Sequence, residues 1–189
     1  MNADLLVYQA KAFYNAYIAL DQLSRDDSDT LLLLFAPLVV NGAFSVELAL
    51  KAILAKNQIE YGKEHNLLIL FQMLPKSFQQ ELWAYLIEKA PEYAGPEKGL
   101  DELILLSNAF VDWRYAFEGK PVPAIESRFL AAFANAAVHT MFSYYNADLL
   151  PATKTESNNE IEQRFHENRE KCKEINLKMI QKKTKEHQL

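Results

Sequence analysis

A single cysteine, Cys172, leaves this chain without an internal disulfide and without the cysteine pairs of a zinc site. The five glycines never cluster, so no glycine-rich loop is present to cradle a phosphate. Histidines at 65, 139, 166 and 187 are scattered, with no H-E-x-x-H pair, and no G-x-S-x-G elbow occurs. Neither a metal nor a cofactor is expected. Cations are also short where they would matter for nucleic acid: residues 1–150 hold 11 Lys and Arg against 18 Asp and Glu. That acidic body argues against broad, phosphate-driven binding, which needs a row of cations. The longest uninterrupted apolar run, Leu31 to Val40, is about half of what a membrane-spanning helix needs, and Asn41, Glu47 and Lys51 follow it. It reads as core, so no membrane association is expected. The N-terminus does not read as a secretory leader, and with one cysteine the expected setting is cytoplasmic.

Few glycines and seven prolines suit long helices joined by few tight turns. Half of the residues are apolar and 24% are charged, the balance of a globular domain. Residues 3–24 carry Leu6, Phe13, Tyr14, Tyr17 and Leu20 near the i, i+3, i+4, i+7 spacing of an amphipathic helix. A kinked helix is predicted from about 30 to 57, with Pro37 as the kink and Ser28 or Asp29 as the cap. Gly62 offers a left-handed, helix-ending position, and His65 or Asn66 can cap a short helix over 67–74. Another helix is expected over 77–87. Residues 90–99 then read as the longest and most mobile loop of the body, with two prolines and two glycines. Helical spacing returns over 100–117 and again over 124–147. The fold class is therefore all-α, an up-and-down bundle of about five to six helices occupying residues 1–150. Residues 151–189 change character, alternating acidic and basic residues around a thin stripe of Ile161, Phe165, Ile175 and Met179. They read as a charged helical tail that is exposed or binds a partner.

The polar residues set into these apolar helices are the candidates for chemistry. Glu47 and Lys51 stand i, i+4 with Glu first, a pair that inside an otherwise apolar helix is expected to edge an interface or a cleft, and Arg114 and Glu118 repeat the spacing in the opposite order. Asn41, Asp112 and Tyr115 flank these pairs as further candidate binding residues. His65 is able to serve as a general base, and Arg114 to stabilise charge developing on a phosphorane, as metal-free RNA cleavage requires. Equally, the pairs read as structural ion pairs and His65 as a helix cap.

The run VNGAFSVELALKAIL, the following Tyr61-Gly-Lys-Glu-His65-Asn-Leu67 and the later FVDWRYAFE of residues 110–118 resemble HEPN domains of prokaryotes. The resemblance covers about residues 3–147. It implies a helical bundle, frequent homodimerisation, and roles in toxin–antitoxin or antiphage defence systems. Members are metal-independent endoribonucleases, nucleotide-binding proteins or partners of antitoxins and nucleotidyltransferases. The nucleases carry an Arg-x(4-6)-His signature on a late helix, and this chain departs from it. Arg114 is followed by no histidine through Lys120, Arg128 by none until His139, and Arg164-Phe-His166 is too close and lies in the tail. Three readings follow: a module binding RNA, a nucleotide or a partner protein; an endoribonuclease using His65 and Arg114; or a non-catalytic dimerisation protein.

Overall fold

The computed structural model describes residues 3–25, 28–115 and 123–145. They form an all-α bundle: α1 (Ala3–Ser24), α2 (Ser28–Lys56), α3 (Leu67–Met73), α4 (Lys76–Lys89), a 3-10 turn (Pro91–Tyr93), α5 (Pro96–Leu106), α6 (Ala109–Arg114) and α7 (Ser127–Tyr145). The long helices alternate in direction along the chain. Phe13 meets Phe44 while Tyr17 meets Gly42, so α1 and α2 run antiparallel. Phe78 meets Tyr144 while Tyr85 meets His139, so α4 and α7 do the same. Leu130 touches Gly42 and the Tyr145 hydroxyl donates to the Ala52 carbonyl at 2.9 Å, which sets α7 parallel to α2. Burial pushes that phenol up to about 12.

α2 is the central helix. α1, α3, α6 and α7 all pack on it, and from Gly42 to Leu54 only Phe44 keeps appreciable exposure. A helix buried on every side shows no clean amphipathic stripe, which is why its sequence reads as nearly continuous apolar residues. Leu34–Lys56 is in fact long and apolar enough to cross a membrane, further than the run ending at Val40 suggests. It is the core helix here, with an 18-residue window of that span 78% buried inside the bundle. α2 runs on through Pro37, whose exposed ring sits on the outer side; Asn41 Nδ2 donates to the Pro37 carbonyl at 2.7 Å, one turn back.

Close approach of the helices requires Gly42. A Cβ there would lie 3.0 Å from the Tyr17 ring and 3.1 Å from a Leu130 methyl, both buried side chains. The small residues of α7 (Ala134, Ala136 and Ala137) are likewise fully buried.

Three local expectations are corrected by tertiary contacts. α2 ends at Lys56, close to the expected 57, but the left-handed residue that stops it is Gln58 and not Gly62. Gln58 adopts φ +58°, with Gln58 N donating to Ala55 O and Ile59 N to Leu54 O at 3.0 Å, the paired bonds of a Schellman stop. Gly62 is also left-handed (φ +56°), but inside the following loop. The stretch expected to be a loop at 90–99 is largely helical: Pro91 and Pro96 each open a helical turn, where a missing N–H costs nothing. Tyr93 is fully buried and Gly99 lies beneath the Trp83 indole, where a Cβ would come within 2.7 Å. Finally, the helix expected over 100–117 divides into α5 and α6, because the Ser107 carbonyl accepts from Leu67 N at 2.8 Å and Asn108 Oδ1 from Asn66 Nδ2 at 3.1 Å. The tail expected over 151–189 lies outside the described residues.

Gly42→Val should overpack the α1–α2–α7 contact and cost about 1–3 kcal/mol. Urea unfolding monitored by circular dichroism measures this, and an unchanged midpoint would contradict the packing described.

Candidate functional site

Glu47 and Lys51 face the same side of α2, one turn apart. The spacing suggested a pair edging a cleft, but both are buried, with 1% and 7% of their surfaces exposed. Lys51 Nζ donates to Glu47 Oε1 at 2.7 Å. The same oxygen takes His65 Nδ1 at 2.9 Å. An ionised carboxylate only accepts, so Nδ1 carries a hydrogen and the neutral ring keeps its lone pair on Nε2. The His65 side chain is about half exposed (51%), so a solvent-accessible imidazole is oriented by a buried carboxylate. Glu47 Oε2 is buried and has no hydrogen-bond partner among the described residues.

The loop after α2 places that imidazole. Glu64 Oε1 accepts from Asn66 N at 2.7 Å and from His65 N at 2.8 Å, and these backbone bonds hold its carboxyl below the usual range. Asn66 caps α3, its Oδ1 accepting from Ile69 N at 3.0 Å, while its Nδ2 ties the turn to Asn108. The cap is thus Asn66, leaving His65 for Glu47. Tyr61, which the sequence did not single out as a site residue, completes the cluster: the Lys51 ammonium lies 5.4 Å from its ring centroid. Burial first, and then the Glu47 charge, raise the Tyr61 phenol. Its signal in the sequence was only an aromatic residue four positions before His65.

The other candidates fall elsewhere. Phe110 of α6 stacks on Phe44 of α2 at 4.3 Å, and Trp113 meets Phe35 edge-on. Arg114 is exposed beyond them. Its Nη2 donates to the Tyr115 hydroxyl at 3.0 Å, and its guanidinium lies 4.9 Å from the Phe110 centroid and 4.7 Å from that of Tyr115. Among the described residues no hydrogen bond, ion pair or ring contact joins His65 to Arg114. Asp112 is half-buried in α6, and Asn41 is spent on the α2 backbone. Glu118, and with it the Arg114–Glu118 pair, lies outside the described residues. No group of three or more His, Cys, Asp or Glu side chains able to hold a metal occurs among the described residues.

Two outcomes follow from this geometry. Glu47→Ala strands a buried ammonium and should cost about 3–5 kcal/mol, whereas Glu47→Leu with Lys51→Met should recover most of the loss; urea midpoints of the three variants check this, and no recovery in the double variant would contradict it. Glu64 has a depressed folded pKa, so its contribution is present above its unfolded value and is lost as pH falls through the folded one. The melting temperature of Glu64→Ala should therefore lie below wild type at neutral pH, with the gap closing below about pH 4. A gap that is constant with pH would contradict the assignment.

No curated protein and no solved structure matches this chain. Residues 38–121, from the first turns of the buried part of α2 through α6, match the family model of the HEPN domain. That span holds Glu47, Lys51, Tyr61, His65 and Arg114, and the helical bundle agrees with it. Residues 38–121 of this all-α protein are thus similar to the HEPN domain.

Proposed function

We propose that this protein acts by binding a partner protein, as a HEPN module of a prokaryotic defence or toxin–antitoxin-type system, and not through an Arg–His nuclease pair. The observation that carries this reading is how the candidate groups are engaged. Lys51 and His65 both spend a nitrogen on Glu47, while Arg114 is held on its own segment by Tyr115 and Phe110. Lys51 is buried and neutralised, and so is not available to a phosphate. The acidic balance of residues 1–150 also disfavours RNA. A protein ligand is favoured by the surface: Ile69, Leu100, Ile104 and Leu105 are exposed on α3 and α5, two helices that pack together. A cytoplasmic setting and a homodimer are the accompanying expectations from the family.

One observation favours a second reading. A half-exposed imidazole oriented by a buried carboxylate has the arrangement of a general base, so His65 could take a proton from a ribose hydroxyl. The two readings part on a simple assay. Incubation of structured and unstructured RNAs with the full-length protein in EDTA should leave them intact, and fluorescence anisotropy at 0.1 M salt should show no saturable RNA binding. Cleavage by wild type that is abolished in His65→Ala and Arg114→Ala would overturn the binding reading in favour of the nuclease.

A further inference from the structure

An open apolar groove of about 590 Å³ runs between α4 and α5. Its walls include Phe71, Trp83, Ala84, Ile87 and Leu100, and Trp83 lies across α5 at Gly99, so the indole forms part of a fixed wall. Leu100 is 43% exposed and Ile104, one turn further along α5, is 49% exposed, extending the apolar surface beyond the groove. Contiguous apolar exposure of this kind marks an interaction surface.

The exposed residues that helical geometry sets beside the groove's apolar stripes are acidic on both helices. At about 100° per residue, the α5 surface passes from Leu100 and Ile104 to Glu97 and Asp101, both exposed. Across the groove, α4 passes from Ala84 to Glu81 and Glu88, also exposed. Glu88 pairs with Lys89 at the surface, an interaction worth little. Lys76 is the cation among the groove-lining residues. An apolar trough between acidic rims is the complement of an amphipathic helix with an apolar stripe flanked by lysines and arginines. α4, at 14 residues, is about 21 Å long, which suits a ligand helix of roughly four turns. A second copy of the same face would set acidic rims against each other, so charge selects a different, basic partner.

We infer that the α4–α5 groove is a docking site for a basic amphipathic helix of a partner protein. This rests on the partner-binding reading above and specifies where and what it binds. The test uses the full-length protein and three fluorescein-labelled 18-residue peptides: one with leucines at i, i+3, i+4 and i+7 and lysines elsewhere, its glutamate counterpart, and a scramble of the lysine peptide. Anisotropy should show saturable binding of the lysine peptide, with the other two at least tenfold weaker. Leu100→Arg with Ile104→Arg should weaken binding at least tenfold, and Glu97→Lys with Asp101→Lys should weaken it severalfold at low salt. Leu23→Arg, at an exposed position on α1, should change nothing. Circular dichroism confirms that each surface variant is folded. Equal binding of the scramble, or no loss in Leu100→Arg/Ile104→Arg, overturns the proposal, as does a dimer by light scattering that this double variant dissociates, since a second copy would then occupy the face. RNA cleavage together with specific peptide binding would remove the non-nuclease reading and leave the groove, whereas intact RNA without peptide binding removes the groove alone.

Discussion

One carboxylate oxygen, Glu47 Oε1, takes both Lys51 at 2.7 Å and His65 at 2.9 Å inside a helix that is otherwise apolar. Much else follows from that arrangement. A buried ammonium needs its counter-charge, and a buried carboxylate needs donors, so the two hold each other in place within the core. The histidine closes the arrangement from outside and fixes where the loop after α2 returns. Replacing such a pair by packed apolar side chains often costs nothing in stability. What the bonds do here is tie α2 to the loop that leads into α3.

Steric constraint supplies the second half of that specification. α1 and α7 approach α2 closely only because position 42 has no side chain, and α5 lies against Trp83 only because position 99 has none. Between these contacts the chain is sewn together by polar bonds at helix ends, notably Asn66 with Asn108 and Leu67 N with Ser107 O. These bonds bring the start of α3 to the break between α5 and α6, and so relate His65 to the segment that carries Arg114. They leave the apolar edge of α5 facing solvent beside α4.

Several of these features were legible in the residues. The spacing of Leu6, Tyr17 and their neighbours marked α1, His65-Asn66 marked the start of α3 without choosing which of the two caps it, and the Glu47–Lys51 spacing marked an ion pair. Others were not. Composition made Pro91 to Gly99 look like a loop, because two prolines and two glycines usually mean one; both prolines instead open helical turns, and Gly99 is an interior helical residue kept small by an indole. Gln58 takes the left-handed stop that Gly62 advertised, because the two Schellman bonds to Ala55 and Leu54 are available only at the true end of α2. The helical pattern across 100–117 gave no sign of a break, since the groups that divide it belong to Asn66 and Leu67, far away in the chain.

The sequence by itself determined the all-α class, the alternating run of long helices and the likeness of residues 38–121 to the HEPN domain, because periodicity, caps and the polar residues at fixed spacing are local properties of the chain. Tertiary structure alone decided that the Glu47–Lys51 pair is buried and not at a cleft edge, that His65 shares its carboxylate, and that Arg114 turns to Tyr115 and Phe110. It also decided that Phe71, Trp83 and Leu100, from three different helices, line one groove. Burial and partner choice depend on which distant helix covers a face, and spacing along one helix carries no record of that.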